Sequence, residues 1–341
     1  MTKEKGYTVV ALRQWISMGE GLYGLVSNIK NWFNDGAFIL EYSSNNATNK
    51  FVNRPVSFGK VNIEMDLPNN FTYQTSKSYK GIPITTGSFK GTNSLFVGGL
   101  NNIIGNCSNA AIWELVFLDH DATEEELTKI KDYFVKTYPW LFPDQAWTVT
   151  GKTNEDEDRA TIANITGNDN NLVLSNFGFA EGSGYNEEGE YAGYLVTDGV
   201  DDEVRSAAFT LNEDWTIVGD WELLSNVQIN CGIVKAQNVY LYNTDNGLLI
   251  SINNPRSLQS FGTKSLHAIC SDGRLYDRNW VEYEYTVDQN FEIVKSSLNI
   301  GFNLNNYTQI AFKNLGIYNN QILSKDDCIK AYNYLQTLKA K

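Results

Sequence analysis

The chain is poor in residues that break, cross-link or titrate: it holds 6 prolines, 4 cysteines, 3 methionines and 2 histidines in 341 positions. With so little proline, its turns have to come from glycine, asparagine and aspartate, which are plentiful. Cys107, Cys231, Cys270 and Cys328 lie far apart and form no CxxC pair. That spacing argues against a structural zinc or thioredoxin-like site and for buried, reduced thiols. Basic residues are scarce too, 27 Lys and Arg against 40 Asp and Glu, for a net charge of −13. A chain of that sign does not neutralise phosphates, so neither nucleic acid nor an anionic membrane is an expected partner. No apolar run approaches a membrane span, and MTKEKGYTVV lacks the apolar core of a signal peptide.

What the chain does have is aromatics at 13% and 27 glycines. Together with the many asparagines, that mixture suits short strands joined by polar turns, and the length suffices for two domains. The organising feature is an internal repeat of about 200 residues, the size of a whole domain rather than a solenoid unit. Gly6-Tyr7-Thr8-Val9-Val10 aligns with Asp214-Trp215-Thr216-Ile217-Val218, and Gly24-Leu25-Val26 with Gly232-Ile233-Val234. Asp35-Gly36 with FILEY aligns with Asn246-Gly247 with LLISI, and Ser94 to Gly98 with Ser297 to Gly301.

Each copy ends in a strand and a short helix. The first helix opens at Thr123-Glu124-Glu125-Glu126, a capping box, and the second at Ser324-Lys325-Asp326-Asp327, a weaker version with Asp. Apolar residues recur at helical spacing: Leu127, Ile130 and Phe134, then Cys328, Ala331 or Tyr332, and Leu335. The copies are unequal. A lead-in from about Trp147 precedes Trp215, whereas almost nothing precedes Tyr7. The expected organisation is a first domain over 1–140 without its opening strands, a proline-containing linker over 141–146, and a complete second domain over 147–341. Trp140, Leu141 and Phe142 are expected to wedge between the domains. Opening strands for the first copy imply a longer chain, a donating partner in a homo-oligomer, or a reduced sandwich.

The stretch Leu195 to Trp221, LVTDGVDDEVRSAAFTLNEDWTIVGDW, reads as strand, tight turn, strand. Its DG-x-DD turn resembles that of laminin-G-like, concanavalin A-like β-sandwich domains. The lead-in GKTNEDEDRATIANITGNDNNLVLSNF and the closing strand, capped helix and YNYL are similar to such modules in virion proteins of phages that infect gut Bacteroidetes, including crAss-like phages. The resemblance implies an all-β fold of two tandem antiparallel sandwiches, each closed by one helix. It also implies a lectin-like partner, a glycan or polysaccharide, and a place in a virion (head fibre, tail or baseplate) among other virion proteins, assembled in the host cytoplasm. A purely structural spacer and a bacterial cell-surface adhesin are the alternatives.

Some members of this family are glycosidases, so paired carboxylates matter. Glu64-Met65-Asp66-Leu67-Pro68-Asn69 comes near the E-x-D-x-x-E strand of the family's glucanases, but Asn69 stands where the last carboxylate belongs. His120 and His267 neighbour no candidate nucleophile, and no catalytic residue is assigned. The metal candidate is the run holding Asn154, Asp156 and Asp158, whose alternating oxygen donors suit calcium, against its reading as a solvated loop. No other cofactor is implied. Sugar recognition pairs an aromatic face with polar side chains. Asn31, Trp32 and Phe33 offer that combination in the first copy, Asn238, Tyr240 and Tyr242 at the matching place in the second, and Asp277, Asn279 and Trp280 after the Asp272-Gly273 turn. The competing reading places these aromatics in the core.

Overall fold

The computed structural model describes residues 6–17, 23–27, 39–43, 50–53, 61–64, 70–79, 81–83, 95–98, 109–224, 232–236, 239–244, 247–252, 259–261, 265–287, 293, 295–303 and 306–340. The chain divides into two compact units, 1–137 and 138–341. Both are built from antiparallel strands, and each ends in one α-helix.

In the first unit the strands are β1 (Thr8–Ser17), β2 (Tyr23–Ser27), β3 (Ile39–Ser43), β4 (Lys50–Asn53), β5 (Val61–Glu64), β6 (Phe71–Thr75), β7 (Ser78–Tyr79), β8 (Ile82–Pro83), β9 (Phe96–Val97) and β10 (Asn109–Leu118), followed by α1 (Glu124–Thr137). They form two sheets of order β10-β1-β6-β7-β8 and β5-β4-β3-β2-β9. Val9, Val10, Ala11 and Leu12 are all buried in β1, and Phe134 of α1 packs edge-on against Phe71.

The second unit opens with a 3-10 turn (Pro139–Leu141). It continues through β11 (Gln145–Thr148), β12 (Thr161–Ile162), β13 (Leu172–Ser175), β14 (Gly184–Asn186), β15 (Tyr194–Val196), β16 (Glu203–Thr210), β17 (Trp215–Leu223), β18 (Gly232–Ala236), β19 (Val239–Thr244) and β20 (Gly247–Ile252). Then come β21 (Gln259–Phe261), β22 (Leu266–Cys270), β23 (Arg274–Asp277), β24 (Glu282–Glu284), β25 (Lys295–Ile300), the small pair β26 (Phe302–Asn303) and β27 (Asn306–Tyr307), β28 (Ile310–Asn319) and α2 (Lys325–Gln336). One sheet runs β14-β15-β28-β17-β22-β23-β24, with β11 also on β28, and the other runs β12-β13-β16-β25-β18-β19-β20-β21. Trp147, Trp215, Trp221, Phe312 and Leu315 from the first sheet meet Leu172, Val204, Leu298 and Ile300 from the second in one core. Burying each such side chain contributes roughly 1.5–3 kcal/mol, which makes the sheet-to-sheet interface the main source of stability.

The repeat is visible in the topology. The order β10-β1-β6-β7-β8 is matched by β28-β17-β22-β23-β24, and β5-β4-β3-β2-β9 by β21-β20-β19-β18-β25. The strands of the second unit without a counterpart among the described residues of the first are β11 to β16, the lead-in, and the small pair β26 and β27. One hydroxyl carries the likeness to atomic detail. Thr8 Oγ1 donates to His120 O (2.8 Å) and accepts from Ala122 N (2.7 Å), while Thr216 Oγ1 donates to Gln321 O (3.0 Å) and accepts from Leu323 N (2.9 Å). In both units this threonine pins the loop that launches the helix. Both predicted caps form: Glu126 N bonds to Thr123 Oγ1 (3.3 Å) and Thr123 N to Glu126 Oε2 (2.8 Å), and Asp327 N bonds to Ser324 Oγ (3.2 Å).

Two expectations are revised. Ile39 to Tyr42 of FILEY lie in β3, which pairs with β2 and so holds the place of β19, not that of LLISI in β20. A DG or NG turn marks any hairpin, and the alignment had slipped by one hairpin. Residues 141–146 are no free tether: Asp144 N donates to Ile317 O (2.8 Å), and β11 begins at Gln145. Trp140 serves the second unit itself, its carbonyl accepting from Tyr318 Oη (2.9 Å) and its ring lying 4.3 Å from Lys330 Nζ. The DGVDD turn lies between two strands as expected, and those strands, β15 and β16, belong to different sheets. Gly199 supplies φ +75°, Asp198 Oδ1 accepts from Val200 N (2.7 Å), and buried Asp202 accepts from Asp198 N (2.8 Å).

Candidate functional site

The second unit gathers its polar and aromatic side chains on the outer face of the sheet that carries α2. Successive strand residues alternate faces, so Trp215, Ile217 and Trp221 enter the core while Asp220 faces outward beside the helix. Asp220 is almost fully buried, and its Oδ2 accepts from Tyr194 Oη (2.9 Å), Tyr332 Oη (3.1 Å) and Gln336 Nε2 (2.7 Å). One carboxylate thus binds β15, β17 and α2. Burial, reinforced by that negative charge, pushes the Tyr194 and Tyr332 hydroxyls up, so both stay protonated donors. Opposite Asp220 in the ladder stands Asn314, fully buried, with neither side-chain amide atom meeting a protein partner.

Around this knot lie buried and partly buried rings. His267 stacks on Tyr332 with centroids 4.1 Å apart, and Trp280 meets His267 (5.4 Å) and Tyr332 (5.7 Å) edge-on. Tyr191 packs edge-on against Tyr194 (5.9 Å), whose ring also carries Lys313 Nζ at 5.4 Å. Arg278 is exposed and pairs with Glu222 across 3.4 Å. Trp280 adopts φ +60°, uncommon for a bulky residue. The turn is held by Asp277: its Oδ1 accepts from Asn279 N (2.8 Å) and Val281 N (2.9 Å), and its carbonyl from Trp280 N (2.9 Å). The result is a partly buried indole held in the same turn as exposed Arg278, with exposed Val281 next to it.

The sequence candidates fare differently. Asp277 and Trp280 are brought together, the first as the clamp of the turn and the second as its displayed ring. Asn31, Trp32, Phe33 and Asn238 lie outside the described residues. Tyr240 and Tyr242 occupy β19, opposite Lys235 and Gly232 of β18. Asn154, Asp156 and Asp158 each meet a neighbour within the second unit. Asn154 brackets the Tyr185 backbone through both amide atoms (2.8 Å each), Asp156 caps Thr153 N (2.9 Å), and Asp158 pairs with buried Lys152 (2.6 Å). Asn154 also lines a pocket of about 430 Å³ with Glu181, Tyr185, Asn186, Glu187 and Glu188. Carboxylates do come together at Asp198, Asp201 and Asp202, within 4.8 Å, but Asp198 and Asp202 are engaged in the turn. Tyr191, Tyr194, Asp220, Glu222, His267, Arg278, Tyr332 and Gln336 were not singled out as a site. The one available signal was Asp220 itself, an acid inside the otherwise apolar run WTIVGDW.

His267 sets a pH dependence. Burial is the main cause holding its imidazole below the ordinary value; Asp220 and Asp277 pull it up, and Arg278 pushes it down. A basic group with a lowered folded value binds fewer protons when folded, so its contribution is complete above about pH 6.5 and shrinks as pH falls. Asp202 runs the opposite way: burial raises it to about 6, so its carboxyl favours the folded state as pH falls toward its ordinary range. The two are separated by comparison with His267→Gln. The urea midpoint advantage of the wild type is expected to narrow between pH 7.5 and 5 in buffers of constant ionic strength; a constant gap would contradict this assignment.

No family model matches the sequence, and no curated protein matches it. Among solved structures, the chain is similar to a Trypanosoma rangeli sialidase in complex with sialic acid, at 10% identity and a TM-score of 0.39 over 67% of this chain and 40% of that one. It is similar at 14% identity to the receptor-binding domain of botulinum neurotoxin mosaic serotype C/D, with a TM-score of 0.39 over 56% of this chain and 50% of that one. The binding domain of Paraclostridial Mosquitocidal Protein 1 is matched at 14% identity and a TM-score of 0.34, over 56% of this chain and 52% of that one. The chain therefore spans about half or less of the length of these structures.

Proposed function

We propose that the second unit is a non-enzymatic carbohydrate-binding module whose ligand lies on the outer sheet face at Trp280. The observation that carries this reading is the partly buried indole of Trp280, packed against His267 and Tyr332 in the same turn as exposed Arg278, which pairs with Glu222. A sugar ring presents C–H groups on one face and hydroxyls around its rim; the indole suits the first, and guanidinium and carboxylate suit the second. The buried acids of this face are both engaged: Asp277 clamps the turn, and Asp220 already accepts three hydrogen bonds. A single shallow face binds weakly, and many copies on one particle multiply weak contacts into avidity. That fits a surface component of a phage virion, a placement that rests on the sequence resemblance alone and is checked by mass spectrometry of purified particles.

The binding test is a glycan array followed by calorimetry with the full chain. Trp280→Ala is expected to weaken the captured glycan at least tenfold, about 1.4 kcal/mol, with the unfolding transition retained. Unchanged affinity in that variant overturns the site. Absence of any bound glycan returns the chain to the spacer reading, and release of new reducing ends would make it an enzyme.

A further inference from the structure

Two cysteines that the sequence keeps far apart belong to one assembly in the fold. Cys270 ends β22 and Cys328 lies in the first turn of α2, and both are fully buried free thiols. The turn at Leu323-Ser324 holds them in place. Cys270 Sγ lies 3.8 Å from Thr216 Oγ1 and 4.0 Å from Leu323 O, while Thr216 Oγ1 accepts from Leu323 N (2.9 Å). One turn on, Cys328 N donates to Ser324 O (2.8 Å). Both cysteines thus border the same Leu323-Ser324 turn, with their thiols buried under the start of α2. On the other side, the Cys270 carbonyl accepts from the Tyr285 hydroxyl, so the strand end is anchored as well.

We propose that Cys270 and Cys328 form a disulfide when the protein meets an oxidising thiol–disulfide couple, stapling α2 to the sheet beneath it. The co-reactant is a low-molecular-weight disulfide such as oxidised glutathione. The Cys270 thiolate attacks one sulfur of that disulfide, giving a mixed disulfide and one released thiolate. The Cys328 thiolate then attacks the Cys270 sulfur, forming the protein disulfide and releasing the second small thiolate. Two electrons pass to the co-reactant, and the two protons lost by the cysteines end on the released thiols. Cys270 is the natural first attacker, because the neighbouring Cys328 side chain holds its thiol below the ordinary value while the Cys328 thiol is pushed up. Both sulfurs are covered, so exchange has to wait for local opening of α2 and its rate follows that opening. The bond would close a long loop, the case in which a cross-link restricts the unfolded chain most.

The experiment uses the full chain carrying Cys107→Ser and Cys231→Ser, incubated with oxidised glutathione with and without sub-denaturing urea. The expected product has lost two hydrogens by intact mass, shows one Cys270–Cys328 peptide on non-reducing mapping, and melts at least about 4 °C higher. Reductant reverses all three changes, and the rate rises with urea. The same chain with Cys328→Ser should gain none of them; with Cys270→Ser the result should match. The proposal is overturned if both thiols stay alkylatable after urea-assisted exchange. A lasting glutathione adduct on Cys270 that never resolves would overturn it equally, as would a bond that leaves the melting temperature unchanged. None of these outcomes depends on whether the outer face binds sugar.

Discussion

Gly219→Ala is expected to destabilise the second unit by about 3 kcal/mol or more, the upper range for overpacking. A Cβ built on Gly219 would stand 2.2 Å from Trp221 Cζ3, 2.5 Å from Trp221 Cε3 and 2.7 Å from Asn314 O. The cause lies in the strand's pleat. Residues two apart on a strand share a face, which sets the indole of Trp221 against the open face of Gly219, where β28 carries an extra residue, Lys313. The ring has no room to retreat, since Trp221 is 1% exposed and belongs to the central core. Gly316→Ala is the control. There the nearest atom to an added Cβ is Leu335 Cδ1 at 3.1 Å, the tip of a side chain that can shift. Its cost is expected below about 1 kcal/mol. Urea unfolding followed by tryptophan fluorescence decides the matter, with the two units fitted as separate transitions. If the two alanine variants proved equally stable, the described packing of Trp221 would be wrong.

Asp220→Ala is expected to cost about 3 kcal/mol, because it strips one acceptor from three donors at once in a buried place. Tyr194, Tyr332 and Gln336 reach Asp220 from β15 and α2, so the loss loosens the helix and the neighbouring strand together. Asp220→Asn retains an oxygen of the same shape without the charge and should fall between the variant and the wild type. A second measurement separates this knot from generic packing. Asp220 is among the causes that raise Tyr194 and Tyr332, so ultraviolet titration of the folded Asp220→Asn variant should show two phenols ionising earlier than in the wild type. Unmoved phenols would mean that the carboxylate does not hold them.

Much of the fold was legible because its signals are local. The capping residues Thr123 and Ser324, the glycine turn at Gly199 and the apolar run beginning at Trp215 each act within a few positions, and each forms as read. The repeat was readable from matched strands, but hairpin turns are interchangeable, and FILEY was matched to the wrong one. The site was harder to read. Tyr194, Asp220, His267, Trp280 and Tyr332 come from a strand edge, a strand interior, a second strand, a turn and a helix, and no spacing rule joins them. Tyr332 was read as an alternative core position to Ala331, yet Ala331 takes the core and Tyr332 is half-buried at the rim. Asn154, Asp156 and Asp158 had the composition of a cation loop, but neighbouring backbone groups and Lys152 take up their oxygens.

The crossover at Asp198 to Asp202 has a mechanical consequence. There the backbone leaves one layer of the second unit and enters the other, and its polar loop is tied to both sides: Thr197 Oγ1 donates to Thr308 O (2.8 Å), and Asp202 Oδ1 accepts from Ser183 Oγ (3.1 Å). The two layers are riveted at that corner. Sliding one layer over the other has to break these bonds together with the apolar packing between the sheets.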